Sequence, residues 1–173
     1  VSASNETAVR HLDRWGSWPV RASLLVGPRK SGRSLLGRIF AANTGAAILD
    51  DAEFCPEQDV FHAWNQSQET RKPLLLISER APPEWSIRLP DLRSRLVATP
   101  HIEILQPDLK LCEMLLGHLL ARRGLAVAPD VSGFVASRME SSYVEIQRIV
   151  DLLDHGSLAD KRAITIPFAR KKL

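Results

Sequence analysis

The sequence predicts an α/β protein: a parallel sheet flanked by helices, then a smaller all-helical part. Three observations predict it. Short apolar runs alternate with stretches whose apolar residues recur at helical spacing. A glycine-bearing loop, Gly27 to Ser34, joins the first of those runs to a helical stretch. After Gln106-Pro107 the strand-like runs stop and amphipathic helical patterns take over. A proline between two unlike halves is a domain boundary, so the expectation is an α/β core over residues 1–106 and a helical domain over 107–173.

Each element has its own signal. Ala8, Val9, Leu12 and Trp15 are helically spaced, with Ser4 or Asn5 as the N-cap, and Trp18-Pro19 ends that helix. Ala22 to Val26 reads as a buried strand running into Gly27. Ser34 to Ala42 is helical, with Leu35, Leu36, Ile39 and Phe40 placed on one side. Ala46 to Leu49 is a second short strand, ending in Asp50-Asp51. Val60 to Thr70 is helical, Pro73 to Ser78 is the clearest strand, and His101 to Leu105 is a weaker one. Beyond the boundary, Asp108 to Arg123 is an amphipathic helix with Gly124 where a C′ glycine belongs. Pro129 to Met139, Ser142 to Asp154 and Pro167 to Leu173 read as three further helices, and only Ala163 to Ile166 has strand-like composition there.

Composition excludes several classes. With 173 residues, 45% apolar and 25% charged, the chain is neither a disordered tail nor a disulfide scaffold. No apolar run reaches the roughly 18 residues of a membrane span, so no membrane partner is expected. A net charge of +3 argues against a protein that coats nucleic acid. Cys55 and Cys112 lie far apart, and the five histidines show no metal-ligand spacing. The chain opens at Val1 rather than Met, and further residues are expected upstream in the natural protein.

Chemistry concentrates in the loop. Gly27-Pro28-Arg29-Lys30-Ser31-Gly32-Arg33-Ser34 fits G-x-x-x-x-G-[KR]-S between a strand and a helix. Glycines let backbone N–H groups converge on phosphate oxygens, and the helix N-terminus adds a positive dipole end. Ser34 would then sit on Mg²⁺. Arg33 stands where the motif wants lysine; it keeps the charge but replaces a compact ammonium with a longer planar fork. The bland alternative is a Gly/Ser-rich turn. Conditional on the loop, Asp50 would hold the metal through water and Asp51 would orient an attacking water.

Ile77 to Trp85, followed by Leu89-Pro90-Asp91-Leu92-Arg93-Ser94-Arg95-Leu96, resembles the AAA+ module of the DnaA-related family, and most closely its Hda-type regulatory inactivators. The opening Val1 to Asn5 and the closing Ile164 to Phe168 carry the same resemblance, which covers nearly the whole chain. It implies a P-loop ATPase core with a helical lid, and ADP or ATP with Mg²⁺, weakly bound or lost. Asn5, in the adenine-side segment, joins the implied nucleotide-binding residues, as does Ser78 at the sensor-1 position beside Glu79. Arg95 matches the arginine finger, which enters a neighbour's nucleotide site in trans and neutralises charge on its γ-phosphate. Arg93 is its nearest rival, then Arg80 and Arg88.

The implied function is regulation of bacterial replication initiation: stimulated hydrolysis of DnaA-bound ATP, in the cytoplasm. The implied partners are DnaA, a DNA-loaded sliding clamp reached through a motif upstream of Val1, and a second copy in a homodimer. Sequence-specific DNA binding is not expected. Three departures bear on this. Arg33 replaces lysine. Val144 stands at the sensor-2 arginine position, with Arg148 one turn on as the substitute. Only about a dozen residues separate Ser34 from Asp50, so one βα unit of the sheet is missing; either Ala46 to Leu49 is the acidic-ended strand, or it is a remnant of the missing one. An autonomous DnaA-like ATPase and a pseudo-ATPase adaptor without finger chemistry remain as alternatives.

Overall fold

The structure is a computed structural model describing residues 2–173; Val1, the first residue of the family-like opening segment, lies outside the described residues. Two compact units are resolved, one ending at Leu105 and the other spanning Gln106–Leu173.

The first unit is built on four parallel strands: β1 (Ala22–Val26), β2 (Ala47–Leu49), β3 (Leu74–Ser78) and β4 (His101–Glu103), in the order β2-β3-β1-β4. β1 and β3 are buried along their whole length because each has a strand on either side and helices over both faces. β2 and β4 are shorter edge strands, partly exposed. The connection from β1 to β2 skips one position in the sheet, and β3 fills it. Both central strands therefore deliver their C-terminal ends, Gly27 and Ser78, to the same edge; Gly27 N–H donates to Ser78 O at 3.2 Å.

Helices α1 (Glu6–Asp13), α2 (Arg33–Thr44), α3 (Glu57–Thr70) and α4 (Pro90–Ala98) belong to this unit. Short 3-10 turns, Trp15–Ser17 and Ala52–Phe54, follow α1 and β2. Asn5 holds the N-cap position of α1 without capping it; its Oδ1 accepts instead from the Ser2 N–H at 2.8 Å. α4 is an element that periodicity alone did not single out. The inward face of α2 also differs from its expected apolar side. Arg33, Gly37 and Phe40 are buried, whereas Leu35 and Ile39 are exposed. The cause is a close approach: a Cβ at Gly37 would lie 2.5 Å from Ile77 Cδ1, so α2 rests on the sheet through its glycine and turns two large apolar residues outward.

The second unit contains α5 (Leu109–Arg122), α6 (Pro129–Ala136), α7 (Tyr143–Asp160) and α8 (Ile166–Lys172). Asp108 and Ser142 cap α5 and α7 by accepting from Leu111 N–H (2.7 Å) and Glu145 N–H (3.1 Å). Gly124 follows α5 at φ +78, the left-handed residue its position calls for. α7 runs past Asp154 because Gly156 does not break it; a Cβ there would lie 3.0 Å from Lys172 Cε and 3.2 Å from Phe168 Cζ, so the glycine admits α8. Ala163 to Ile166 is not a strand: Thr165 caps α8 and Ile164 joins the helical core. Leu116, Leu120, Ile149 and Leu153 centre that core; trimming any one to alanine is worth about 2–5 kcal/mol. No helix among the described residues is long and apolar enough to cross a membrane.

His11 ties α1 to the sheet. Ser23 Oγ donates its proton to Pro100 O (3.0 Å), so His11 Nε2 donates to Ser23 Oγ (2.8 Å). The ring stacks on Trp18 with centroids 5.1 Å apart. Burial holds the imidazole below its ordinary value of 6.5. The folded chain then binds this proton less readily than the unfolded one, so stability falls as pH drops below 6.5. Melting curves between neutral pH and about pH 5 should show that fall, and His11→Gln should flatten it.

Candidate functional site

The loop between β1 and α2 is shaped by steric limits at its glycines. A Cβ at Gly27 would lie 3.1 Å from Ile104 Cβ and 3.2 Å from Ser31 Oγ. Gly32 (φ +88) and Lys30 (φ +66) are both left-handed, and Ser31 N–H donates to Pro28 O at 3.2 Å. The chain thus turns sharply into α2, whose first turn has no side-chain cap. Arg29, Lys30, Gly32, Arg33 and Ser34 line a cleft of about 390 Å³ together with Asp51 and Glu79. Pro28 and Ser31 shape the loop; the Ser31 hydroxyl is buried without a hydrogen-bond partner.

Arg33 does not reach into that cleft as a free cation. It is buried, donating from Nη1 to Gly27 O at 2.6 Å and from Nη2 to Asp51 Oδ1 at 2.7 Å. The fork that distinguishes arginine from lysine is what makes this possible: one guanidinium bridges a backbone carbonyl and a carboxylate that point in different directions. Asp51 sits in the left-handed region (φ +50) directly after β2, which aims its carboxylate back at the loop. Asp50 is exposed, and its Oδ1 accepts from the Asp51 N–H at 3.1 Å. The strand ending in Asp50-Asp51 therefore lies beside the loop, and its second carboxylate is tied to Arg33. Among the described residues, no group of three His, Cys, Asp or Glu side chains is placed to hold a metal ion.

Two glutamates hold the segment between β3 and α4. Ser78 is fully buried and donates from Oγ to Arg80 O at 2.7 Å, within its own loop. Glu53 Oε1 accepts from the Glu79 N–H at 2.6 Å. Glu57 accepts from the N–H groups of Arg88 (2.9 Å) and Leu89 (2.7 Å), and these bonds depress its pKa. Glu53 and Glu57 thus fasten both ends of the segment leading into α4. Neither was predicted; each lies in a stretch with no motif.

Arg95, on α4, is not a free projecting side chain. Its guanidinium lies 4.7 Å from the Phe61 ring centre and 4.9 Å from that of Trp64, and its Nε is buried without a partner. Trp64 Nε1 donates to Thr99 Oγ1 (3.0 Å), which donates to Arg95 O (2.8 Å). The aromatic pair at i, i+3 on α3 is therefore aimed at Arg95. Phe61 and Trp64 read in sequence only as the apolar face of a helix. Arg93 is exposed and donates to Ile87 O; Arg80 and Arg88 are exposed. In the helical unit Val144 is exposed on the first turn of α7, and Arg148 is paired with Glu145 through Nε (2.8 Å) and Nη2 (2.7 Å). The nucleotide substitute role for Arg148 thus competes with that pair.

Four parallel strands, a glycine-bearing loop between β1 and α2, and a helical unit make up an α/β fold that resembles AAA+ domains. Over the whole chain the fold is similar to domain III of the Thermotoga maritima replication initiation protein DnaA, with a TM-score of 0.78 at 14% identity, covering 100% of this chain and 92% of that one. A replication initiator DnaA bound to AMPPCP and single-stranded DNA gives 0.67 at 16% identity (94% and 66%). The T. maritima RuvB Holliday junction branch migration motor gives 0.70 at 14% (98% and 67%). The family model for the Hda lid domain matches residues 113–173. A Haemophilus influenzae protein, described only as uncharacterized, is 32% identical over 120 residues, 68% of this chain; the chain spans about half (51%) of that relative's length. The chain thus shares its fold with domain III of DnaA, and its residues 113–173 match the Hda lid domain.

Removing the Arg33 side chain leaves the Gly27 carbonyl buried and unpaired. Arg33→Ala is expected to lose about 1–3 kcal/mol of stability, read by urea denaturation. Asp51→Asn, at an exposed carboxylate, is expected to lose less.

Proposed function

We propose that this chain regulates replication initiation by acting on the ATP of a DnaA-type partner, with little or no turnover of its own. The supporting observation is the Arg33 bridge. In a working P-loop the cation at this position meets phosphate and the acidic strand end meets metal; here each is engaged by the other. The loop backbone, the uncapped start of α2, and the cations Arg29 and Lys30 suit a nucleotide's phosphates. Asp50, the carboxylate expected to hold Mg²⁺, stays outside that ion pair; Asp51, expected to orient the attacking water, is tied to Arg33, so no hydrolytic step is assigned to this chain's own cleft. Asn5 and Ser78 belong to the nucleotide reading only through the family resemblance, since both side chains bond within their own segments.

Arg95 is the residue proposed to act in trans. Its aromatic clamp sets the guanidinium's position without cancelling its charge, because no carboxylate among the described residues pairs with it. A clamp of this kind presents a full positive charge to another molecule's γ-phosphate. A DNA-loaded sliding clamp, self-association and a cytoplasmic setting complete the proposal. The second reading is an adaptor in which Arg95 only rivets α4 to α3; the same clamp and the buried Nε favour it.

Phosphate release by DnaA–ATP, with clamp-loaded DNA present, separates the two. Arg95→Ala should abolish the stimulation, by about 10³-fold if the finger is fully used, and Arg95→Lys should restore little of it. Trp64→Leu, which loosens the clamp but keeps the arginine, should lower the melting temperature and retain most of the stimulation. Full stimulation by a folded Arg95→Ala protein would establish the adaptor.

A further inference from the structure

Cationic side chains gather at one place in the helical unit. Residues 161–173 carry five Lys or Arg and no Asp or Glu. Arg138, just beyond α6, joins them in space. Its guanidinium lies 3.8 Å from the Phe134 ring centre, and that of Arg170, on α8, lies 5.5 Å from the same centre. Two cations from different parts of the chain thus share one aromatic ring.

The end of α7 completes the cluster. Lys172 Nζ pairs with Asp160 at 3.1 Å, which brings the last residue of α7 to the last turn of α8. Lys161 and Arg162 follow directly, and Ser157 holds their turn. Its Oγ donates to Arg162 O (2.6 Å), and its carbonyl accepts from the Arg162 N–H (3.1 Å). Arg138, Lys161, Arg162, Arg170 and Lys171 therefore lie around the C-terminal end of α8, on the surface of this unit.

The charge of these five is not cancelled locally. None takes part in an ion pair among the described residues: Asp160 is engaged by Lys172, and Glu140, two residues after Arg138, does not pair with it. Arg123 and Arg148, in the same unit, do hold carboxylates. The C-terminal ends of α6, α7 and α8 each present about half a negative charge. Five full positive charges exceed what those ends offset.

The holders select the ligand. A guanidinium resting on a ring keeps its charge, and it has less side-chain freedom to lose on binding. Phe134 is taken up by the arginines and packs against the helical core, so it offers no platform to a nucleobase. Lysine is depleted in protein–protein interfaces, whereas phosphate backbones are met by Lys and Arg alike.

We propose that this basic end of the helical unit binds the phosphodiester backbone of DNA without reading its sequence. Arg138 and Arg170 are the positioned contacts; Lys161, Arg162 and Lys171 add charge. This contact is independent of Arg95 and of the loop after β1.

The test uses the intact chain and a fluorescein-labelled duplex of about 20 base pairs, read by anisotropy between about 50 and 200 mM salt. Binding should be micromolar at the lower salt and indifferent to sequence, with a log–log salt slope of about −0.9 per phosphate engaged. Arg138→Ala/Arg170→Ala should weaken it about tenfold and make the slope shallower by about 2. Arg162→Gln/Lys171→Gln should do the same. Arg162 is bonded through its backbone and Lys171 is exposed, so this second variant should keep the parent's melting temperature. Lys110→Gln/Arg122→Gln removes the same charge from α5 and should leave the slope unchanged. The proposal is overturned by an equal loss in the α5 variant or by unchanged binding in either folded cluster variant. Tighter binding of a glutamate-rich peptide than of the duplex, or no duplex binding up to about 100 μM protein at the lower salt, also overturns it.

Discussion

A single guanidinium organises the edge of the sheet where this fold does its chemistry. Arg33 connects the start of the loop, through Gly27 O, to the residue after β2, through Asp51. Both contacts need a fork, and both face inward. A buried cation is tolerated only when paired and hydrogen-bonded, and here Gly27 O and Asp51 meet both conditions. The loop is thereby held in shape by this chain's own groups. What remains facing solvent is the exposed basic rim and the uncapped end of α2.

That one substitution separates two properties a P-loop normally joins. In the proposed reading, anion attraction comes from the backbone, the dipole and the outer cations. Orienting an attacking water needs a free carboxylate, and Asp51 is tied to Arg33. A similar separation holds at Arg95. Stacking on Phe61 and Trp64 fixes the side chain while leaving its charge uncompensated. In each case a positive charge is held by the protein's own groups, and the kind of holder decides what is left for another molecule: a carboxylate quenches the charge, an aromatic ring only steers it.

Much of the fold was legible because burial and periodicity agree. Ala22 to Val26 is a strand with the bounds its apolar run implies, and the helices of the second unit follow their caps and apolar stripes. The failures have specific causes. Leu35 and Ile39 were placed inward because helical periodicity cannot register that Gly37, not a large side chain, makes the contact with Ile77. α7 was ended early at Asp154 because Gly156 serves packing rather than termination. At the site, the strand–loop–helix order and the acidic strand end were readable as motifs. The pairing of Arg33 with Asp51 was not, because the two lie far apart in sequence and neither departs from its residue type's usual behaviour. Glu53, Glu57, Phe61 and Trp64 act through contacts that no spacing pattern records.

The bridge is open to direct measurement by calorimetric titration of ATP and Mg²⁺ into the protein and into Arg33→Lys. An ammonium cannot span both Gly27 O and Asp51, so lysine should release Asp51 and turn its own charge outward. Nucleotide affinity, measured with Mg²⁺ present, should then rise by about tenfold or more. Tight, Mg²⁺-dependent ATP binding by the parent chain, unchanged or weakened in Arg33→Lys, would contradict the view that this arginine has withdrawn the loop's own cation from phosphate.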